Sequence, residues 1–405
     1  MKDPVRLIMV TADNNNKYYN MDDLGNGYLE VTYGRVGTSG TKKEYPIRDW
    51  DKIYKSKTGK GYKDVSNLKI TKQQAQFNSI LDREIDDLLN TLLQKSRQFS
   101  SQYYNIETAI SKKQIDEAQD YLNLMAKNID DTSTPPDSLL KQFNKYLLEI
   151  FSILPRKILK VQDNLCKNLD DRPKILNREQ SLLDNLAIQA IQPTAVTGNS
   201  LTLLDAYGFS VSQASPEEIQ MVKDRLEKES GAKLSRMWVC RKQDRDNRLE
   251  DFLKNNGLKN DDKNIKLYWH GSGVENIFSI AATGLAIRPT NVSYSGSAFG
   301  DGIYSGPKSN KSLNYVNTAI INGKRVCYLF LNAVVTGNVF KVHNNYERLG
   351  NIRISDLNQE RFSQNNLGYH SVYAEASSSS YINRDEAIVY NPDQVASRYL
   401  CEVER

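Results

Sequence analysis

The sequence predicts a multidomain α+β protein. Three observations carry that prediction: strand-type alternation at the N-terminus, helical spacing of apolar residues in the middle, and a mixture of both at the C-terminal end. At 405 residues the chain has room for two or three compact domains, each with its own core. Hydrophobic residues make up 39% and charged residues 25%, the balance of a globular chain rather than a disordered one.

Residues 1–70 form the first expected module. Val5–Val10 and Tyr28–Tyr33 read as strands separated by Asn, Asp and Gly turn clusters, and Gly34, Gly37 and Gly40 break the chain after Tyr33. Lys42, Lys43, Arg48, Lys52, Lys55, Lys57, Lys60 and Lys63 then face only Glu44, Asp49 and Asp51, with Tyr45, Trp50, Tyr54 and Tyr62 interleaved. The formal charge of the whole chain is +5, which is mildly basic. The local patch therefore says more about a nucleic-acid partner than the total does.

Residues 71–198 form the second, an all-α segment. Ile80, Leu81, Ile85, Leu88, Leu89, Leu92 and Leu93 recur at three- and four-residue steps. Ser111 and Gln114 make a capping box, and Ile115, Ala118, Leu122 and Met125 continue one face. A loop at 130–137 precedes a helix through Phe143, Leu147, Ile150, Phe151 and Leu154, stopped by Pro155. Another helix is expected over Glu179–Ile191, and Gln192–Ser200 reads as a linker. The charged faces of these helices read as solvated surface.

Residues 199–405 form the third, mixed domain. A helix is expected from Pro216 to about Glu229, with strands at Lys266–Trp269, Arg325–Val335, Ala387–Tyr390 and Arg398–Val403. Cys166, Cys240, Cys327 and Cys401 form no CxxC pair, and only three histidines accompany them. That usage argues against a zinc site or a disulfide framework and for buried free thiols, so no metal is expected. There is no signal-peptide pattern, and no apolar run approaches the roughly 20 residues that span a bilayer. The expectation is an intracellular protein without a membrane partner.

Four motifs in the third domain bear chemistry. The apolar strand from Leu267 delivers His270 into the Gly271–Ser272 turn, where a glycine lets backbone groups approach a flat ligand. Taken alone, His270 reads equally as a structural histidine beside a turn. Phe299–Tyr304 is a glycine-rich bend that delivers Tyr304, and the stretch from Lys311 resembles a helix start with Ser312 and Tyr315 on one face. Glu386 heads a final apolar strand, where a carboxylate accepts hydrogen bonds at a cleft.

In this order and at this spacing, the motifs resemble the catalytic domain of the poly(ADP-ribose) polymerases. The family's His-Tyr-Glu triad falls on His270, Tyr304 and Glu386, and Gly284-Leu285 and Gly337-Asn338 also fit. Upstream, Tyr33-Gly34-Arg35-Val36-Gly37 and the stretch from Trp50 to Gly59 resemble the WGR module of DNA-dependent members, with Tyr33 in place of tryptophan. Ser111–Ile115 and Leu183–Leu186 are similar to the family's helical regulatory domain.

The resemblance implies an NAD-dependent poly(ADP-ribose) polymerase stimulated by DNA breaks, with NAD as substrate and nicotinamide as product. It implies NAD contacts from His270, Gly271, Ser272, Asn276, Arg288, Tyr304, Ser312 and Tyr315. Glu386 acts on the acceptor hydroxyl with Lys311 beside it, and Pro289–Ser297 closes over the donor. Tyr33, Arg35, Lys42 and Lys43 are the implied DNA contacts at ends or nicks, the Tyr33 and Arg35 pair meeting either the DNA end or the neighbouring domain. Protein acceptors include the chain itself, which is expected to be a monomer when free. The location is nuclear in a eukaryote and cytoplasmic in a prokaryote.

Ala286, where the family has arginine, bears on the adenine-side contacts, while Ala298, Ala387 after Glu386 and a short stretch from Tyr373 to Arg384 bear on product length. A mono-ADP-ribosyltransferase with the same site stays open. So do a DNA-end scaffold with an inactive transferase domain and an NAD sensor without transfer.

Overall fold

The computed structural model describes residues 1–66, 77–104, 110–131, 133–190, 201–287, 298–321, 323–377 and 382–405. The expected linker at Gln192–Ser200, Arg288, the loop Pro289–Ser297 and Ser378–Ser380 lie outside the described residues. The chain folds as two compact units, one of residues 1–74 with 97–191, the other of 75–96 with 192–405. Among the described residues no helix is long and apolar enough to cross a membrane.

The first unit opens with β1 (Val5–Val10), β2 (Asn16–Asp23), β3 (Tyr28–Arg35), β4 (Thr41–Pro46), α1 (Trp50–Thr58) and β5 (Lys63–Asp64). The strands lie in the order β4-β3-β2-β1-β5, with every pair antiparallel. Period-two alternation turns Leu7, Tyr19, Met21, Leu29 and Val31 inward against Trp50 of α1. Three strands have no sequence expectation: β2, β4 and the two-residue β5. In β2 the inward Tyr19 and Met21 are hidden among polar neighbours, and β4 is an exposed edge strand with lysines that deter further strand pairing.

The helices come next as α2 (Arg83–Ser101), α3 (Lys112–Asp130), α4 (Pro136–Ile153) and α5 (Arg172–Ala190). Residues of α2 up to Ser96 belong to the second unit, and its end belongs to the first. The stripe Ile85, Leu88, Leu89, Leu92, Leu93 is buried, whereas Leu81 precedes the helix and is exposed. Ser111 and Gln114 form the expected reciprocal cap on α3. α5 starts seven residues earlier than the expected Glu179, because between Arg172 and Arg178 only Leu176 is a buried apolar residue, too few to show a helical period.

Beyond α4, the segment after Pro155 buries an ion pair. Arg156 and Glu179 are each 1% exposed and joined by two hydrogen bonds, Arg156 Nη1 donating to Glu179 Oε1 at 3.0 Å. Arg178 supplies a second donor to Glu179 at 3.0 Å, and the Arg156 guanidinium lies over Phe151 at 4.5 Å. Burial disfavours the Glu179 carboxylate, yet Arg156 holds its pKa below the usual 4.5.

The second unit contains α6 (Leu203–Tyr207), β6 (Ser210–Gln213), α7 (Pro216–Ser230), β7 (Lys233–Arg241), α8 (Gln243–Asn255), β8 (Ile265–Gly271) and α9 (Val274–Thr283). It continues with β9 (Ile303–Ser305), α10 (Ser309–Ser312), β10 (Ala319–Ile321), β11 (Lys324–Val335) and β12 (Val339–Val342). Then come β13 (Arg348–Leu349), β14 (Ile352–Arg353), α11 (Gln359–Asn365), β15 (Ser371–Ala374), β16 (Glu386–Val389) and β17 (Val395–Glu404). One sheet runs β10-β11-β17-β7-β6 with β8 also on β11; the other runs β12-β15-β16-β9. Both are antiparallel as expected except at β12–β15, which are parallel. Ser215 caps α7 through Glu218, and Gly231 at φ 66 ends it in the left-handed conformation that favours glycine. α7 packs Val222 and Leu226 on Trp269, Leu329 and Leu331 of the larger sheet.

Removing one partner of a buried ion pair strands the other charge, at a cost of about 3–5 kcal/mol. Glu179→Gln is therefore expected to destabilise the first unit by about that amount, read from denaturant unfolding. Because the folded Glu179 pKa is depressed, its contribution is present above the unfolded value of 4.5 and drains away as pH falls toward the folded value.

Candidate active site

Period-two alternation in β8 divides two neighbouring residues between faces. Trp269 is opposite Leu331 and joins the α7 side of the sheet, so His270, opposite Phe330, faces the other way. Trp269 also leaves its sheet: its N–H donates to the Gly306 carbonyl at 2.8 Å, and the Gly306 N–H donates back at 2.7 Å. This bridge couples β8 to the residue after β9. It brings His270 to Tyr304, with His270 Nδ1 3.1 Å from the Tyr304 carbonyl.

A carbonyl only accepts, so Nδ1 carries the ring proton. Burial holds the His270 pKa below its ordinary value, and the Tyr304 contact opposes that only in part. The imidazole is thus neutral, with Nε2 free of a proton and able to accept from a hydroxyl. The Tyr304 hydroxyl donates to the Gly300 carbonyl at 2.7 Å and accepts from the Phe299 N–H at 3.0 Å, which locks the ring against the glycine-rich bend.

Glu386 is held by β16, whose Ile388 pairs with Tyr304 of β9. Residues two apart on a strand share a face, so Glu386 lies diagonally across from Tyr304. Its carboxylate is 7% exposed and forms an ion pair with Lys311. Burial pushes the Glu386 carboxyl above the ordinary 4.5, and Lys311 counteracts it. Burial works against the Lys311 ammonium, but its hydrogen bond and charge contact with Glu386, backed by Tyr315, raise its pKa. The ammonium lies 5.4 Å from the Tyr315 ring centre.

Gly271 is pressed against α10. A Cβ there would lie 2.1 Å from the backbone oxygen of Ser312, which cannot yield as a flexible side chain would. Trp269 points both backbone groups at Gly306, so Gly271, two residues on, presents its N–H and C=O to that same side beyond the bridge. Ser312 is buried, and its hydroxyl donates to the Trp269 carbonyl at 3.0 Å. Ser272 accepts a 3.4 Å hydrogen bond from Asn276 of α9.

One expectation is corrected. α10 runs only from Ser309 to Ser312, so Ser312 and Tyr315 do not share a helix face. Tyr315 sits in the next turn, its N–H on the Ser312 carbonyl at 3.1 Å, and is 48% exposed.

Sequence reasoning missed the supports behind these groups. Glu229 of α7 accepts from the Trp269 indole and from the Ser309 N–H, both at 2.7 Å. Arg225 lies over the Trp269 ring and donates to the Pro307 carbonyl at 2.8 Å. Arg384 donates to the Asn310 carbonyl at 2.6 Å. Arg225 and Glu229 stand four apart on a helix, a spacing common to surface ion pairs, and nothing local distinguishes them.

In the first unit, Tyr33 stacks on Tyr19 with ring centres 5.7 Å apart. Arg35 is engaged inside the molecule, its guanidinium donating to the carbonyls of Ile158 (2.9 Å) and Leu159 and to Asn14 Oδ1 at 3.0 Å. Ile158 and Leu159 belong to the neighbouring helical segment. Lys43 is opposite Val31 on the inward face of β4, while Lys42 is on the other face, paired with Glu30 at 2.9 Å. The two lysines are therefore not brought to one face.

Residues 216–405 match the poly(ADP-ribose) polymerase catalytic domain and residues 5–69 match the WGR domain. The chain is 34% identical over 185 residues to Uncharacterized protein 101L of Invertebrate iridescent virus 6, covering 45% of this chain and 76% of that protein. It is 33% identical over 142 residues to Putative poly [ADP-ribose] polymerase-like 100L of the same virus, covering 35% and 72%. With Poly [ADP-ribose] polymerase 2 of Homo sapiens it shares 32% identity over 168 residues, 36% of this chain and 28% of the relative. A β-rich WGR region, a helical segment and an NAD+ ADP-ribosyltransferase domain thus succeed one another along the chain, which belongs to the poly(ADP-ribose) polymerase family.

Proposed function

We propose that this chain is a DNA-break-stimulated poly(ADP-ribose) polymerase that modifies proteins, itself included, in DNA repair. The observation that carries the reading is buried Glu386, paired with Lys311, on the strand beside Tyr304, with neutral His270 tied to Tyr304 itself. The domain division behind it is 1–70, 71–198 and 199–405.

The bond between the nicotinamide nitrogen and the ribose C1′ breaks, and nicotinamide leaves with the electron pair. The sugar becomes oxocarbenium-like, which calls for a negative group nearby and a leaving group held in one orientation. The backbone of Gly271 and the Ser312 hydroxyl hold the carboxamide; Tyr304 and Tyr315 flank the ring. His270 Nε2 accepts from an adenosine ribose hydroxyl, with Ser272, Asn276 and Arg288 on the same half of the donor. Glu386 bonds the nicotinamide ribose and takes the proton of the acceptor hydroxyl, whose oxygen forms the new bond to C1′. Lys311 keeps that carboxylate charged and oriented.

DNA ends or nicks reach the WGR domain, and the form in which the helical segment does not obstruct NAD gains population. Lys42 and Lys43 meet phosphates, while Arg35 relays the event through the carbonyls of Ile158 and Leu159. An intracellular, reducing location fits the four buried free thiols. Ala298 and the short Tyr373–Arg384 stretch favour a second reading, in which the same site transfers single ADP-ribose units.

Labelled NAD and broken DNA test the chemistry: Glu386→Gln is expected to lower transfer by about 10²–10⁴-fold, and wild-type chains without label would overturn the reading. Long ladders establish polymer; single additions establish the mono reading. The rate is expected to fall as pH drops through the Glu386 pKa, above 4.5 because of burial. Lys311 lowers that pKa, so Lys311→Met shifts the acid limb of the profile to higher pH; an unmoved limb contradicts its role. Turnover is expected to rise with nicked or blunt-ended DNA. Removal of one phosphate-binding lysine, as in Lys43→Ala, should reduce the salt slope of DNA binding by about 0.9. Equal turnover with and without DNA would sink the coupling.

A further inference from the structure

We infer that Glu229, with Arg225 behind it, is a positioning residue that sets the NAD-binding geometry from outside the site. This rests on the proposed roles of His270, Gly271 and Ser312 in holding the donor. One carboxylate oxygen, Glu229 Oε2, accepts from the Trp269 indole and from the Ser309 backbone, each at 2.7 Å. The first donor belongs to the residue just before His270 and Gly271; the second opens the short helix that carries Lys311 and Ser312. A single charge on α7 therefore ties together the two segments, at Gly271 and at Ser312, to which the proposed function assigns the carboxamide.

The tie is itself held. Arg225 donates to Glu229 Oε1 at 2.6 Å, covers the Trp269 ring at 5.3 Å, and donates to the Pro307 carbonyl at 2.8 Å. Ser230 adds a 2.9 Å contact to Ser309 Oγ. The Glu229 side chain is 12% exposed, so water competes little for its oxygens. Glu229, Arg225 and Ser230 converge on the close approach of Gly271 to Ser312, where an added Cβ would lie 2.1 Å from the Ser312 oxygen. Neither Glu229 nor Arg225 reaches the acceptor side, where Glu386 sits. The clamp acts first on donor binding; it reaches proton transfer only through Lys311 on the same short helix, which keeps its own ion pair with Glu386.

The test uses the full chain with Glu229→Gln and, separately, Trp269→Phe, which deletes the indole donor together with part of a fully buried ring, so its folding is checked alongside. In Glu229→Gln the amide cannot accept at both oxygens and turns an N–H toward either Arg225 or the two donors. Steady-state NAD turnover and calorimetric binding of nicotinamide are measured beside thermal unfolding. The expected result is a rise of about ten-fold in the NAD KM and the nicotinamide Kd with kcat within about two-fold, in variants that unfold cooperatively. The two-fold window on kcat is what a general loosening of the fold would not respect. Unchanged KM and Kd in either folded variant, or a fall in kcat matching that of Glu386→Gln, overturns the proposal. Wild type that binds nicotinamide without transfer would sink the transferase reading and leave the Kd comparison to judge the clamp. Wild type that binds no nicotinamide overturns both.

Discussion

Everything in the candidate site depends on the two-way backbone bridge between Trp269 and Gly306. It is the point where the larger sheet, through β8, is fastened to the end of a strand from the smaller one. Backbone bonds have little freedom in direction, so this pair fixes how far β8 stands from β9 and hence from β16. His270 and Tyr304, 34 residues apart in the chain, meet because of it. Gly271 can approach α10 only because it lacks a side chain, and the Ser312 hydroxyl caps the same Trp269 carbonyl that takes part in the bridge.

Around that scaffold the electrostatics divide into two halves. His270 is kept neutral by burial and oriented by a carbonyl, which suits recognition of a hydroxyl rather than of an anion. Glu386 and Lys311, both partly shielded from water, keep a charged pair where positive charge would develop on the sugar. Burial makes the carboxylate costly and the ammonium offsets that cost, leaving a group more basic than a surface glutamate. Under the proposed function, recognition and chemistry rest on separate residues, His270 on β8 of one sheet and Glu386 on β16 of the other.

The parts legible in the sequence were those whose signal is local. Apolar runs announced β8 and β11 and the strand headed by Glu386, and capping residues announced α3. The polar face of β2 hid Tyr19 and Met21, and lysines on β4 looked like a binding patch before they looked like an edge strand. The stretch from Lys311 to Tyr315 read as a helix start, whereas the helix is Ser309–Ser312, four residues that are too few to show periodicity. Glu229 and Arg225 were invisible for a different reason: their partners lie 40 to 82 residues away, and only the packing of α7 on the sheet brings them together. Arg35 was legible as a special residue, but its engagement by Ile158 and Leu159 needed the fold.

Whether this bridged geometry is what lets the chain split NAD is best decided by release of labelled nicotinamide from NAD in wild type and in Gly271→Ala, compared at equal folded fraction. The added methyl would meet the Ser312 backbone at 2.1 Å, inside the proposed nicotinamide subsite. Release by wild type is expected, together with its loss in a Gly271→Ala chain that still folds. Undiminished release from the folded variant would refute the role given to the bridge.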